Sequence, residues 1–326
     1  MFVRSAGFLT SVQDLGRTGY RQSGISVGGA LDSHALRVAN GLVGNEDAAA
    51  GLEATLGNLR LRFDDQRVVA WCGGAFSVRI GDENVRPGRA GLIAKDEELV
   101  MNAPKAGSRA WLAISGGVAV SPILGSRSTD LRGNFGGHEG RVLRDGDILP
   151  LGETLVAPGR VAKMFGDRRI AEWTAPSVWV TTAARARFLR IVRGPDWSRF
   201  TAEAQTSLVG APFTVTLDSD RMAARLDGPS LPRHDAGDLL SEAVAPGTLQ
   251  VPPNGKPILL LGDCQTIGGY PKIAHVITVD LAIAAQLWPG DLVRFHEVSL
   301  ADAQELLRER EEDFGRFRIG INLRSK

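Results

Sequence analysis

A mainly β protein with a few short helices is what the sequence predicts, on three observations. The 39 glycines and 16 prolines among 326 residues recur along the chain as turn signals. Between them lie apolar runs of about five residues, several alternating with polar residues in the period of a half-buried strand. Long stretches at helical spacing are few. Hydrophobic residues make up 43% and charged residues 23%, ordinary for a folded chain, and the length suffices for two compact units.

Composition also excludes some functions. With 38 basic and 37 acidic residues the formal net charge is +1, so no bulk field recruits nucleic acid or an anionic membrane. No apolar run approaches the roughly 20 residues of a membrane helix. Residues 1–7 show no basic region leading into a long apolar core, so a cytoplasmic chain is expected. Two cysteines, Cys72 and Cys264, fit reduced thiols in that compartment.

In chain order, residues 7–14 begin as a strand and end in Gln13 and Asp14. A glycine-rich loop containing Ser26 follows, closing on Asp32 or Ser33, either of which suits a helix N-cap. Ala35, Leu36, Ala39, Leu42 and Val43 then repeat at helical spacing until Gly44-Asn45. Asp32 reads equally as that cap or as a substrate contact, and His34 as a surface or packing residue. Strands are expected at 52–56, 59–63, 68–72, 76–80 and 110–114. Glu53 interrupts an apolar strand, so it needs a partner: a structural one, or a ligand. Arg127, flanked by Ser126, Ser128 and Thr129, is built either to grip a carboxylate or phosphate or to staple its own loop.

Weak periodicity and mixed charge from 152 to 187 mark a connecting segment. The expected division is therefore a first half at 1–151, that connection, a second half at 188–300, and a C-terminal helix and tail at 301–326. The second half opens with a strand from Phe188. Asp196 is expected to cap a helix carrying Phe200, Ala204 and Leu208, and strands follow near 213–217 and 247–251. Ser299 opens the last helix, with Asp302 completing a capping box and Leu300, Ala303, Leu306 and Leu307 forming its apolar face. The tail beyond Gly315 is expected to be poorly ordered.

The chemistry concentrates between Val251 and Phe295. A turn at Pro252-Pro253-Asn254-Gly255 precedes an apolar strand at 257–261, which delivers Asp263, Cys264, Gln265 and Thr266. Gly268, Gly269, Tyr270 and Lys272 follow, and the next strand is expected at 275–279. The glycines would allow positive φ and close approach of backbone N–H groups to a ligand. Asp263 can accept a proton, Gln265 can donate and accept, and Lys272 brings a positive charge. The alternative is a glycine-rich hairpin with a surface lysine. No phosphate loop, no H-E-x-x-H and no ligand spacing among histidines and cysteines is present, so no metal site is evident.

The run DCQTIGGYPKIA closely resembles the D-x-Q-T-x-GGYPKIA signature of the carboxyltransferase domain C and D family. That family includes the C subunit of ATP-dependent 5-oxoprolinase, proteins labelled allophanate hydrolase subunit 2, the carboxyltransferase segment of urea carboxylase, and a bacterial antagonist of a sporulation-kinase inhibitor. The resemblance resumes at TSVQDLGRTGYRQSGISVGGALDSHALRVANGLVGN, with Leu31 where the family has Met, and at LGSRST; it spans roughly residues 1 to 300. Family members commonly carry arginine at the position of Cys264 and glycine at that of Ala223.

The resemblance implies two cyclophilin-like β-barrel halves and a site for a group presenting N–H beside C=O: urea, the ureido ring of biotin, or 5-oxoproline. On that reading Asp263 accepts the N–H or acts as base. Lys272, Gln265 and the amides around Gly268 and Gly269 polarise the carbonyl, and Arg127 or Arg221 holds a substrate carboxylate. Ser26, Asp32, Glu53, Ser128, Thr129, Gln250, Thr266 and Tyr270 complete the expected binding residues. Asp263, Gln265 and Lys272 would then converge on one open cavity. The leading expectation is the C subunit of a hetero-oligomeric amidohydrolase opening 5-oxoproline, with a B-subunit homologue as partner and ATP used through the complex. The alternatives are a biotin-dependent carboxyltransferase component acting on urea or a related amide, and a non-enzymatic module that binds a small inhibitor protein.

Overall fold

The computed structural model describes residues 1–154, 158–180, 186–235, 237 and 239–324. Residues 155–157 and 181–185 of the expected connection, and the last two of the tail, lie outside that set. Two compact units emerge: residues 1–17, 28–183 and 312–326 form one, and residues 18–27 and 184–311 the other.

The first unit holds strands β1 (Phe2–Ala6), β2 (Leu9–Gln13), β3 (Gly51–Thr55), β4 (Leu59–Arg62) and β5 (Arg67–Gly73). It continues with β6 (Val78–Ile80), β7 (Glu83–Asn84), β8 (Ala90–Ile93), β9 (Glu98–Met101) and β10 (Arg109–Ile114). They make two five-stranded sheets, ordered β1-β4-β9-β6-β7 and β2-β3-β10-β5-β8. The pairs are antiparallel, and on β4 one face is covered and the other open: Leu59 and Leu61 are buried while Arg60 is exposed. Strands β3, β5 and β10 are buried along their whole length. Val3, Leu61, Ile80 and Leu99 from one sheet and Leu52, Val69, Trp71 and Leu112 from the other share one core. Each such side chain withdrawn from water contributes about 1.5–3 kcal/mol.

Helix α1 (Ser33–Leu42) packs on β5 and β10 through Leu36, Ala39 and Leu42. Helices α2 (Pro158–Phe165) and α3 (Ser177–Val180) belong to the same unit.

The second unit is a closed barrel. Its strands are β11 (Ala186–Arg193), β12 (Phe213–Val215), β13 (Ala223–Asp227), β15 (Thr248–Gln250), β16 (Ile258–Leu260), β18 (Lys272–Val276) and β19 (Leu292–Glu297). Outside the barrel, β14 (Glu242–Ala243) pairs with β17 (Ile267–Gly268) as a ribbon two residues long. The order β11-β18-β15-β16-β13-β12-β19 is closed by a parallel pairing of β11 with β19. Phe213 and Phe295 meet inside it with ring centroids 5.8 Å apart, among Leu189, Ile191, Leu249, Ala274 and Val293. Gly194 lets β18 pass close by, since a Cβ there would lie 2.2 Å from the carbonyl oxygen of Lys272.

The mainly β class with helices as the minority is as the sequence predicts. Several local expectations are corrected. The strand expected at 275–279 lies three residues earlier, so Lys272 is on β18, and residues 278–280 form a 3-10 turn. Thr201, not Asp196, caps α4 (Ala202–Gly210), its hydroxyl accepting from Ala204 N. After the short α5 (Leu281–Ala284), α6 runs from Leu300 to Arg324. Ser299 and Asp302 do form the reciprocal box at its start, although Leu300 is exposed. The tail beyond Gly315 is helical through Arg324, and a Cβ at Gly41 of α1 would meet Phe317 and Ile321 at 3.4 and 3.5 Å.

Candidate functional site

Against the outward face of β13, β15 and β16 lies a cavity of about 350 Å3 whose walls include Gln250, Gln265, Tyr270, Asp218, Asp220 and Arg225. A neighbouring hollow of about 300 Å3 shares Asp218, Arg225 and Asn254 with it and adds Lys256. Two carboxamides organise the wall. Gln265 Nε2 donates to Gln250 Oε1 at 3.3 Å, and Gln250 Nε2 donates to the Tyr270 carbonyl at 3.2 Å.

Gln250 ends β15, where the pairing with β18 shifts register: Leu249 faces Ala274, but Gln250 faces Lys272. Such a bulge re-aims side chains, and directly opposed residues project from the same face of a sheet. Gln250 and Lys272 are therefore brought side by side from the sequence run Leu249-Gln250 and the run Lys272-Ile273-Ala274. Gly268 and Gly269 do not have positive φ. The use of Gly268 is room: a Cβ there would stand 2.7 Å from Gln250 Nε2.

Lys272 is buried at 5% exposure. Its ammonium donates to Glu242 Oε2 at 2.5 Å and lies 3.8 Å from Asp196 Oδ2, which accepts the Lys272 backbone N–H at 2.8 Å. The hydrogen bond and charge of Lys272 hold the Glu242 carboxyl below the usual carboxylate range. Burial, then the Lys272 charge, pushes His275 on the same strand below the usual imidazole range.

Asp263 faces Arg221 in a buried two-point ion pair, Oδ2 to Nε at 2.8 Å and Oδ1 to Nη2 at 3.2 Å. Of the three groups expected to converge on one cavity, Gln265 lines this one and Asp263 and Lys272 do not. Asp263 is turned to Arg221, and Lys272 to Glu242, because each buried charge needs a counter-charge. Thr266 is buried, and its backbone carbonyl accepts from Val244 N at 3.1 Å.

Subdomain A and B of the carboxyltransferase domain matches residues 23–297. The chain belongs to the carboxyltransferase domain family. It is 38% identical over 313 residues to the 5-oxoprolinase C subunit of Escherichia coli, covering 95% of this chain and 94% of that one. The protein of the same description from Haemophilus influenzae is 33% identical, with 92% of each chain covered. Among solved structures, urea amidolyase of K. lactis matches with a TM-score of 0.88 and 28% identity over 97% of this chain. This chain spans about a fifth of that much longer protein, 20% of its length.

Other expected residues of this carboxyltransferase-family chain sit in the first unit and are engaged there. Asp32 caps α1, accepting from Ala35 N at 2.9 Å. Glu53 is fully buried on β3 and accepts from Trp111 Nε1 at 2.8 Å and Leu31 N at 3.0 Å. The 125–129 loop is stapled internally. Arg127 Nε donates to the Val120 carbonyl at 2.9 Å, Ser128 Oγ to Asp14 Oδ1 at 2.5 Å, and Thr129 Oγ1 to the Val12 carbonyl at 3.0 Å. His34 is a packing residue, edge-on to Trp179 with centroids 5.0 Å apart.

Ser26 lies in the second unit within Gly24-Ile25-Ser26-Val27-Gly28, the spacing of a nucleophile elbow. An elbow needs a strand-to-helix turn, and this segment follows a 3-10 turn and leads into further loop, so the spacing carries no such chemistry. Cys264 is buried, and burial pushes its thiol up to about 11, the Arg21 charge opposing and the Asp263 charge adding to that rise. It is an unreactive thiol at neutral pH.

Glu242, Asp196 and Arg225 are site residues that the sequence does not reveal. Each lies far along the chain from the signature, and only the strand pairings bring them to it. Among the described residues, no group of three or more His, Cys, Asp or Glu side chains could hold a metal ion, and no helix is long and apolar enough to cross a membrane. ATP finds no fitted cradle at α1 or α4, whose N-termini are occupied by Asp32 and Thr201 of the chain itself.

Proposed function

We propose that this chain is the C subunit of a heteromeric, ATP-dependent 5-oxoprolinase, opening the lactam 5-oxoproline to glutamate with a B-subunit homologue and a third protein. The observation that carries the reading is the near end-to-end match to 5-oxoprolinase C subunits, at 38% identity over 94% of the E. coli chain.

The cavity suits that substrate class. A lactam is a cis amide, presenting N–H and C=O on one edge. With one Nε2 hydrogen committed to Gln250, Gln265 keeps Oε1 and its second hydrogen for a two-point pairing with such an edge. Donors at the carbonyl oxygen gain strength as that oxygen becomes negative during ring opening. Lys272 supplies a positive charge beside Gln250, suited to a substrate carboxylate. Both oxygens of Asp263 are engaged by Arg221, so Asp263 serves here by anchoring residues 262–266, which fixes Gln265. ATP and its phosphates are left to the assembled complex.

The second reading is a biotin-dependent carboxyltransferase component acting on urea or a related amide. It is favoured by the TM-score of 0.88 to K. lactis urea amidolyase, and urea presents the same amide edge. Co-expression with the neighbouring subunits, followed by incubation with ATP and either 5-oxoproline or urea, separates the two. Glutamate release from 5-oxoproline supports the first. Biotin- and bicarbonate-dependent loss of urea supports the second. Partner binding without turnover of either would favour a regulatory module.

A further inference from the structure

The two carboxylates around Lys272 are not equivalent. Asp196 has 15% of its side chain exposed, and its Oδ2 already accepts the Lys272 backbone N–H. Glu242 is 65% exposed and makes the 2.5 Å contact to Nζ. Its backbone sits on the two-residue β14, at the edge of the ribbon with β17. Just beyond it the chain is held firmly, because Val244 is buried against Leu260 and Cys264 and its carbonyl accepts from Arg21.

A buried ammonium cannot be left without a counter-charge. Asp196, 3.8 Å from Nζ and already accepting the backbone N–H, is a fixed counter-charge but not a direct hydrogen-bond partner, so an empty site leaves room for a second anion on Nζ that is easy to release. Glu242 fits that place: its side chain is mostly in water already, so returning it to solvent loses little. The exchange keeps the charge balance, since the ammonium trades one carboxylate for another.

We propose that Glu242 is a displaceable internal carboxylate. It holds the place on Lys272 Nζ that the carboxylate of an anionic amide substrate takes, and it thereby sets the affinity for such substrates over neutral ones. The identity of the substrate as 5-oxoproline rests on the function proposed above; the exchange at Lys272 does not. A neutral lactam or urea brings no replacement anion and leaves Glu242 in place.

The test has two arms. In the assembled complex, Glu242→Gln is expected to lower KM for 5-oxoproline roughly tenfold, the scale of removing one charge-assisted competitor. KM for pyrrolidin-2-one, the same ring without the carboxylate, is expected not to fall. Turnover retained with an unchanged or higher KM for 5-oxoproline would overturn the proposal, because a fixed structural partner gives that result. The second arm needs no turnover. In the full-length chain alone, acylation of Lys272 by acetic anhydride, read by peptide mass spectrometry, should be faster in Glu242→Gln than in the unaltered chain. Added acetate or 5-oxoproline should slow it again. Equal rates, or no protection, would overturn the exchange. Protection by carboxylates in a complex that does not turn over 5-oxoproline would sink the assigned substrate and leave the exchange standing. Glu242→Asp, which keeps the charge on a shorter arm, guards against a folding defect and should label at an intermediate rate.

Discussion

Asp263 and Arg221 illustrate what a single residue can and cannot show in a sequence. Both stand out as chemistry-bearing, yet each is spent on the other in a buried pair with two contacts. Removing one partner leaves the other charged and unsolvated, so Asp263→Asn is expected to cost about 3 kcal/mol of stability in urea unfolding. Asp263→Leu with Arg221→Met should recover much of that loss, whereas a purely catalytic Asp263 would leave stability unchanged. Gln265→Leu should act differently. It keeps the fold but removes the amide edge, raising KM for the amide substrate at least tenfold in steady-state assays.

Asp147 provides a pH test. The hydrogen bond from Arg141 draws its carboxyl down to about 2, with burial opposing. A depressed folded value means the stabilisation is full above the unfolded value near 3.9 and is lost as pH falls toward about 2. Urea midpoints of the unaltered chain should therefore drop through that window, and Asp147→Asn should flatten the drop.

The sequence left Asp32, Glu53 and Arg127 with two readings each, and the reason is general. Donor and acceptor capacity is visible in a residue type, but the partner is not. Glu53 finds Trp111, and Ser128 finds Asp14 across 114 residues.

At the scale of elements, alternation and apolar runs located most strands of the first unit and β11, β12, β15 and β16 of the second. They did not locate β13 or β19; β19 closes the barrel on β11, about a hundred positions away, as Phe188 facing Arg294 shows. The helical tail escaped notice because its buried residues, Phe314 and Ile321, follow the charged run 308–313 and stand among Gly315, Gly320, Arg316 and Arg318, with no clear apolar stripe. The signature loop was legible as a site, whereas its glycines were misread: space for Gln250, not positive φ, is what Gly268 provides. Gly194 shows how tightly β18 is held. Since a Cβ there would meet the Lys272 carbonyl at 2.2 Å and Ala274 N at 2.9 Å, Gly194→Ala must push the strand outward. The expected outcome is a loss of about 1–3 kcal/mol in urea unfolding together with reduced turnover, since Lys272 moves with its strand. Unaltered activity and stability would show that β18 yields without cost.

Over the whole molecule, the sequence carried the fold class and the family but not the way segments are shared. Residues 18–27 join the second unit and residues 312–326 the first, a pairing that leaves no mark in local periodicity. The family is common to 5-oxoprolinase C subunits and to urea amidolyase, so the fold by itself does not choose the substrate. On the proposed reading, two features choose between them: a carboxamide edge on the cavity wall that any cis amide can use, and, outside the lining but opposite Gln250, a buried lysine that favours one bearing a carboxylate. The most direct measurement is glutamate release by the co-purified complex supplied with ATP and either 5-oxoproline or urea. ATP-dependent glutamate from 5-oxoproline with no consumption of urea is expected; urea consumed with biotin and bicarbonate, and 5-oxoproline left intact, would overturn the assignment.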